Sequence, residues 1–306
     1  MKRILFFTLT IIICILVGLI STNSQRPSPI ANANTNTNEN SYDGMQAKEN
    51  PYEGIQNAIY TYLNDGSDYS VYVCYPQKDS KAFIYNQQKW RAASMIKVFI
   101  LATTMEIVKD GHLSLDQNLT LHSYDKVGGA GILSGYASNT QLPLRDVLKL
   151  MITHSDNTAT NMIIDLVGMQ TINDYIQEKN YQDTILQRKM MDMDAIYAGR
   201  ENFSSVRDLG EIFRKIYNHE CVSPECDNFM LECLLAQTDT ECFNTALPNL
   251  KIAHKTGALN GLFDEGGIIY GGRSGDVILV IMTENFAGES VVINSMKNFA
   301  KSVVNN

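Results

Sequence analysis

In the stretch RAASMIKVFILATTMEIVKDG, residues 91–111, Ser94 stands three residues before Lys97. The stretch is apolar almost all the way round, with Met95, Ile96, Val98, Phe99, Leu101, Met105, Ile107 and Val108, so it reads as a buried helix. Ser94 and Lys97 then share a face. Burial disfavours an ammonium group and lowers its pKa, and an amine that sheds its proton near neutrality activates a weak hydroxyl nucleophile. The plainer account is a lysine that snorkels its head group to water. The chain carries its own control, because Ser123 and Lys126 repeat the spacing in a polar segment before Gly128 and Gly129, where nothing would desolvate the amine. Context, and not spacing, must separate the two copies.

Two further groups supply that context. THSDNTATN places Ser155, Asp156 and Asn157 at a helix mouth, where each residue also suits an N-cap. AHKTGAL places Lys255, Thr256 and Gly257 at the end of an apolar strand, where a lysine and a turn glycine are ordinary. Each group alone has a bland explanation. Their order along one chain does not.

The elements that would position these groups follow from periodicity. Residues 69–76 and 81–86 read as a β-hairpin, followed by the buried helix, helices over 144–153 and about 157–167 with Gly168 as a stop, a helix capped by Ser204 or Ser205, and a helix around NFMLECLLAQ. Strands return as LKIAHKTGA, GGIIYGG and DVILVIMTEN, and an amphipathic helix runs from Glu289. Strands, then helices, then strands and a helix predict an α+β fold: an antiparallel β-sheet formed by both chain ends, flanked by helices, with an all-α lobe inserted over about 91–240.

The whole chain bounds the setting. It has 306 residues and a formal net charge of -8, with no basic block after the N-terminus, so nucleic acid is not an expected partner. Lys2 and Arg3 precede an apolar run over 4–20, the layout of an exported protein, and residues 1–21 are assigned to a cleaved signal peptide or an N-terminal membrane anchor. Residues 22–51, rich in Asn, Thr, Ser and Pro, are expected to be a disordered linker, and 52–306 the folded domain. The expected location is extracellular or at the outer face of the cytoplasmic membrane. Five cysteines lie beyond the signal, an odd number; export permits Cys221 to bridge Cys226, or Cys233 to bridge Cys242. Those cysteines and His219 match no familiar zinc spacing, and no metal is expected.

From about Tyr52 onward the chain resembles the class A β-lactamase family of penicillin-recognising active-site serine enzymes. The resemblance rests on the ordered triple Ser94-x-x-Lys97, Ser155-Asp156-Asn157 and Lys255-Thr256-Gly257, and on the flanks GGAGIL and LPLRDVLKLMITHSDNTATNMI. It implies a β-lactamase/DD-peptidase-like fold and a set of roles. Ser94 would attack the carbonyl of a β-lactam or a D-alanyl peptide and form an acyl-enzyme; Lys97 would take its proton, directly or through water. Ser155 would pass a proton to the leaving nitrogen. Asn157 would bind the substrate's side-chain amide and steady Lys97, and Lys255 with Thr256 would bind its carboxylate. The N–H groups of Ser94 and Ala258 would form the oxyanion hole. The resemblance implies no cofactor and a monomer, since the family's sites are complete within one chain.

One segment departs from the family. The family's loop after its second motif reads Arg-x-x-Glu-x-x-Leu-Asn, and the glutamate activates the deacylating water. Here LQRKMMDMDAIYAGRENF, anchored on Arg188, puts Lys189, Met190 or Met191 at the glutamate and offers no glutamate before Glu201. Asp192 or Asp194 would substitute only in a re-registered loop. Leu259 and Phe263, after the third motif, suggest an altered rim. Three readings follow: a β-lactamase-like serine hydrolase slow in deacylation; a D-alanyl-D-alanine carboxypeptidase or transpeptidase acting on peptidoglycan; and a low-turnover penicillin-sensing or peptidoglycan-binding module. The missing glutamate favours the second, the class A flanks the first, and a lysine in an apolar helix counts against the third.

Overall fold

Strand β1 (Asp68–Cys74) is buried from Tyr69 onward, and its neighbours show why an unbroken apolar run is needed: the sheet is covered on both faces. In the computed structural model, which describes residues 52–78, 81–286 and 288–305, helix α1 (Glu53–Tyr62) precedes β1, and β2 (Phe83–Tyr85) returns beside it. A short strand β3 (Trp90–Arg91) leads through a 3₁₀ turn, Ala93–Ile96, into α2 (Lys97–Lys109). Next come β4 (Asn118–Thr120), β5 (Gln141–Pro143), α3 (Leu144–Thr153), α4 (Asn157–Val167), α5 (Met169–Glu178) and α6 (Met193–Tyr197). They are followed by β6 (Phe203–Ser204), α7 (Val206–Tyr217), α8 (Pro224–Leu235) and α9 (Phe243–Ala246). The chain closes with β7 (Lys251–Leu259), β8 (Leu262–Gly272), β9 (Gly275–Glu284) and α10 (Glu289–Val304).

The five-stranded sheet has the order β2-β1-β9-β8-β7, antiparallel throughout, so the two ends of the domain meet where Tyr72 pairs with Val280. Alternation along the strands splits the core in two. Val71, Val73, Ile269, Leu279 and Ile281 face a rear layer with Val292, Met296 and Phe299 of α10. Tyr72, Ile268, Ile278, Val280 and Met282 face a front layer with Phe99, Ile152, Leu209 and Phe213 of the helices. The α+β architecture and the inserted helices are those expected from the sequence.

Three expectations need correction. The helix expected from Arg91 starts later, because Trp90 and Arg91 pair with Ser204 and Phe203 as strand. The cysteine bridges are absent: Cys74, Cys221, Cys226, Cys233 and Cys242 are buried free thiols. Cys233 and Cys242 lie in the front and rear cores respectively, while the Cys226 thiol donates to Met105 O and Cys221 lies 3.7 Å from the Tyr175 hydroxyl. Phe263, expected at the rim, is packed in the rear core instead. The expected signal or anchor and the linker lie outside the described residues. Among the described residues no helix is long and apolar enough to cross a membrane, and no cluster of three or more His, Cys, Asp or Glu side chains could hold a metal.

Candidate active site

Ser94 sits in the 3₁₀ turn, not in an α-helix. Ala92 N–H donates to Asn202 O at 2.8 Å and Met95 N–H to Ala92 O at 2.8 Å, while Ala93 takes a left-handed φ of 43°. Arg91 clamps the base of the turn to β9 through a bidentate pair with Glu284, at 2.9 and 2.8 Å. In a 3₁₀ turn residues i and i+3 eclipse, so Ser94 and Lys97 stay on one side. Ser94 is half-buried, whereas Lys97 has no exposed surface.

Lys97 does not snorkel. Its Nζ lies 2.6 Å from Ser155 O, 3.0 Å from Asn157 Oδ1 and 3.2 Å from Ser155 Oγ. Burial pushes its pKa well below the ordinary lysine value; the nearby Lys255 charge pushes the same way and Asp156 opposes. The polar copy behaves otherwise: Ser123 is exposed, and Lys126 donates to the carbonyl of Tyr136.

The Ser155-Asp156-Asn157 group is both a helix cap and a site. Asp156 alone does the capping, taking Ala159 N–H at 2.9 Å on Oδ1 and the N–H groups of Ile132 and Leu133, each at 2.7 Å, on Oδ2. Its neighbours are thereby freed to face Lys97. Ser155 holds a left-handed φ of 51°, and Asn157 Nδ2 donates to Gly128 O at 3.1 Å. Gly131, with φ 114°, has no room for a Cβ against Asp156, which explains a glycine in GGAGIL.

On β7 the third group lies inside the strand, and the turn comes after Leu259. β7 is the edge of the sheet, so alternate N–H groups along its free side are left out of the ladder. Ala258 is exposed there. A Cβ on Gly257 would stand 3.2 Å from Ser94 N and 3.1 Å from Ala93 Cβ, so glycine lets the edge strand close on the nucleophile turn. Lys255 is fully buried; its Nζ donates to Ser155 Oγ at 3.0 Å and to Thr256 O at 2.7 Å, and burial brings its pKa down to about 7. Both lysines therefore converge on one hydroxyl.

The 188–201 loop is held by groups that sequence reasoning missed. Asn161 grips Met190 from both sides, donating to its carbonyl at 3.0 Å and accepting its N–H at 2.8 Å. Arg188 pairs with Glu201, Nη2 to Oε1 at 2.6 Å, and Asn202 accepts the N–H groups of Gln187 and Arg188. Met190 is buried in the front core, while Met191, with φ 60°, lies against Gly129 beside the Asn157 amide. Asp192 caps α6 by accepting Ala195 N–H at 3.0 Å, and Asp194 is exposed in its first turn. Among the described residues, no Asp or Glu side chain hydrogen-bonds to Ser94, Lys97, Ser155, Asn157 or Lys255. The Asn161 clamp had a faint signal in TATN, one helical turn after Asn157.

Residues 50–306 match the model of the Beta-lactamase enzyme family, and the chain belongs to that family. Among relatives, it is 26% identical over 178 residues to the extended-spectrum beta-lactamase PER-1 of Pseudomonas aeruginosa, an alignment covering 56% of this chain and 58% of the relative. It is 23% identical over 206 residues to a beta-lactamase of Streptomyces albus G, covering 62% and 64%. The chain thus spans about six tenths of the length of each of these curated relatives. Among solved structures, the beta-lactamase of Sphaerobacter thermophilus superposes with a TM-score of 0.75 at 25% identity, covering 82% of this chain and 95% of that one. PBP-A superposes at 0.74 and 25% identity, covering 82% and 94%; a leucine-to-glutamate mutant of PBP-A, solved as an acyl-enzyme complex with penicillin G, has the same values. The family and fold expected from the three motifs are those found.

Proposed function

We propose that this protein is a serine hydrolase that opens β-lactams by acylating Ser94, and that the acyl-enzyme forms faster than it is released. The observation that carries this reading is the junction at Ser155 Oγ, where Lys97 at 3.2 Å and Lys255 at 3.0 Å meet. Burial lowers the pKa of both amines, and the Lys255 charge lowers that of Lys97 further, which supports reading Lys97 as the neutral base and Lys255 as the ammonium ion.

A neutral Lys97 has two N–H groups and one lone pair. Ser155 O and Asn157 Oδ1 are acceptors only and take the two N–H groups, so the lone pair meets the Ser155 hydroxyl. When Ser94 attacks, Lys97 takes the proton of its hydroxyl, directly or through a water. The proton then travels from Lys97 to Ser155 and from Ser155 to the leaving nitrogen, and the amide bond breaks as that nitrogen is protonated. Lys255, donating to the Ser155 oxygen as an ammonium, leaves that hydroxyl's proton to the Lys97 lone pair at rest and with Thr256 binds the substrate carboxylate; once Lys97 holds the Ser94 proton and donates to Ser155 in its turn, the Ser155 proton is free for the leaving nitrogen. The N–H groups of Ser94 and Ala258 receive the oxyanion.

Release is the weak half. Asp192 is engaged as a cap, Asp194 faces solvent, and Glu201 is paired with Arg188. Methionine cannot take a proton from water. The same observation favours a second reading, a D-alanyl-D-alanine peptidase or transpeptidase trapped by penicillin. The export layout of residues 1–21 supports action outside the cytoplasmic membrane, where both substrates are met.

Intact-protein mass spectrometry over time with penicillin G, alongside a chromogenic cephalosporin, tests this. The expected result is rapid addition of one penicillin, a long-lived adduct, and no adduct on Ser94→Ala. Covalent uptake by Ser94→Ala would falsify the nucleophile. Rapid multiple turnover that survives replacement of both Asp192 and Asp194 overturns the account of release.

A further inference from the structure

Directly behind the Lys-Thr-Gly strand lies a second charged pair that the proposed mechanism does not use. Glu265 on β8 is the ladder partner of Thr256, and its side chain shares a face with those of Thr256 and His254, opposite to Lys255. Glu265 and His254 are 0% and 1% exposed, in the rear layer of an otherwise apolar core. Glu265 Oε1 is 2.6 Å from His254 Nδ1, although the contact is too bent to count as a hydrogen bond. Glu265 Oε2 accepts Phe243 N–H at 3.0 Å, which ties the start of α9 to β8. A buried carboxylate is costly unless several groups hold it, and a sheet interior is a poor place to keep one without use.

Resting on the reading of Lys255 as the carboxylate anchor, we propose that Glu265 is a positioning residue for Lys255: set beside His254 and tied to the Phe243 N–H, it backs the strand from behind and holds the lysine as an ammonium ion. The charge works across the strand. Lys255 is desolvated, and the groups that restore its positive charge are Asp239, from the segment before α9, and Glu265. The remaining titratable neighbours are accounted for. Lys97 on α2 and Asp156 at the α4 cap lie in front, and Asp264, opposite Gly257, has its pKa pushed well above the carboxylate range by burial. Cys242 lies beside Glu265 at the rear; burial first and then the Glu265 charge push its thiol well up, with Lys297 opposing.

The sign follows from charge. Capture of a carboxylate substrate needs the ammonium form, which is full at low pH and lost as pH rises through the Lys255 pKa of about 7. Removing the carboxylate behind it lowers that pKa further, so the falling limb of the acylation profile moves to more acidic pH. The test is the second-order rate of Ser94 acylation by penicillin G in the full chain from pH 5 to 10, for wild type, Glu265→Gln and Asp239→Asn. The limb of Glu265→Gln is expected to move down by about one pH unit, and that of Asp239→Asn in the same direction. Should Glu265→Gln fail to fold, the paired replacement His254→Leu with Glu265→Met removes both partners without stranding either, and must show the same acidward shift. A wild type that never acylates overturns the functional reading and this inference with it. A reactive wild type whose limb coincides with that of the folded variant overturns this inference alone.

Discussion

The two walls of the site are built to opposite rules. The wall that carries Lys97, Ser155, Asn157 and Lys255 is buried and polar, with lysine nitrogens satisfied at 2.6 to 3.2 Å. The wall made by residues 188–201 spends its polar groups on its own fold, through Asn161, Asn202 and the Arg188–Glu201 pair, and turns two methionines inward or across. Holding a loop in place and equipping it for chemistry are thus separable. Asn161 presents the backbone of residue 190 firmly; what it presents is a thioether.

The contrast can be broken from either side. Removing the amine should have the largest effect: Lys97→Met is expected to slow Ser94 acylation by about 10²- to 10⁴-fold, the range of a lost general base, measured as adduct growth by mass spectrometry. Met190→Glu probes the other wall. With the Asn161 clamp intact, it should speed loss of the penicillin adduct by at least about tenfold, and no gain there, with a gain in Met191→Glu, would place the water face one residue on. The smallest effect belongs to the polar copy of the serine-lysine spacing: Ser123→Ala should leave acylation within about twofold, as for an exposed substitution.

The same contrast explains what could be read from residue order. The buried lysine and the sheet closed by both chain ends were legible, because an apolar run around a charge and the order of strands and helices are read along the chain; the gathering of the three motifs into one site was what the family resemblance implied. The 3₁₀ start at Ala93 was not, since it follows from Trp90 and Arg91 pairing with Phe203 and Ser204 more than a hundred residues away. Asp156 as sole cap was hidden because Ser, Asp and Asn all suit that position. Free thiols in place of bridges reflect where helices carry their cysteines, with Cys233 and Cys242 in the front and rear layers, a separation that spacing cannot express. Phe263 read as rim because it follows the third motif closely; it and its neighbours Asp264 and Glu265 are buried, one carboxyl pushed toward its neutral form and the other in contact with His254.

The pairing of β1 with β9, Tyr72 beside Val280, also sets the order in which the molecule can come into being. The central contact of the sheet joins residues about two hundred positions apart, and such long loops must close before the pairing yields any stability. A chain emerging from synthesis therefore carries Ser94 and Lys97 long before β7 exists to close its edge on the nucleophile turn. Until β7 arrives, Lys255 is missing from the Ser155 hydroxyl and the nucleophile turn lacks its edge strand. The site is therefore finished by completion of the sheet, and its parts are far apart in the half-made chain.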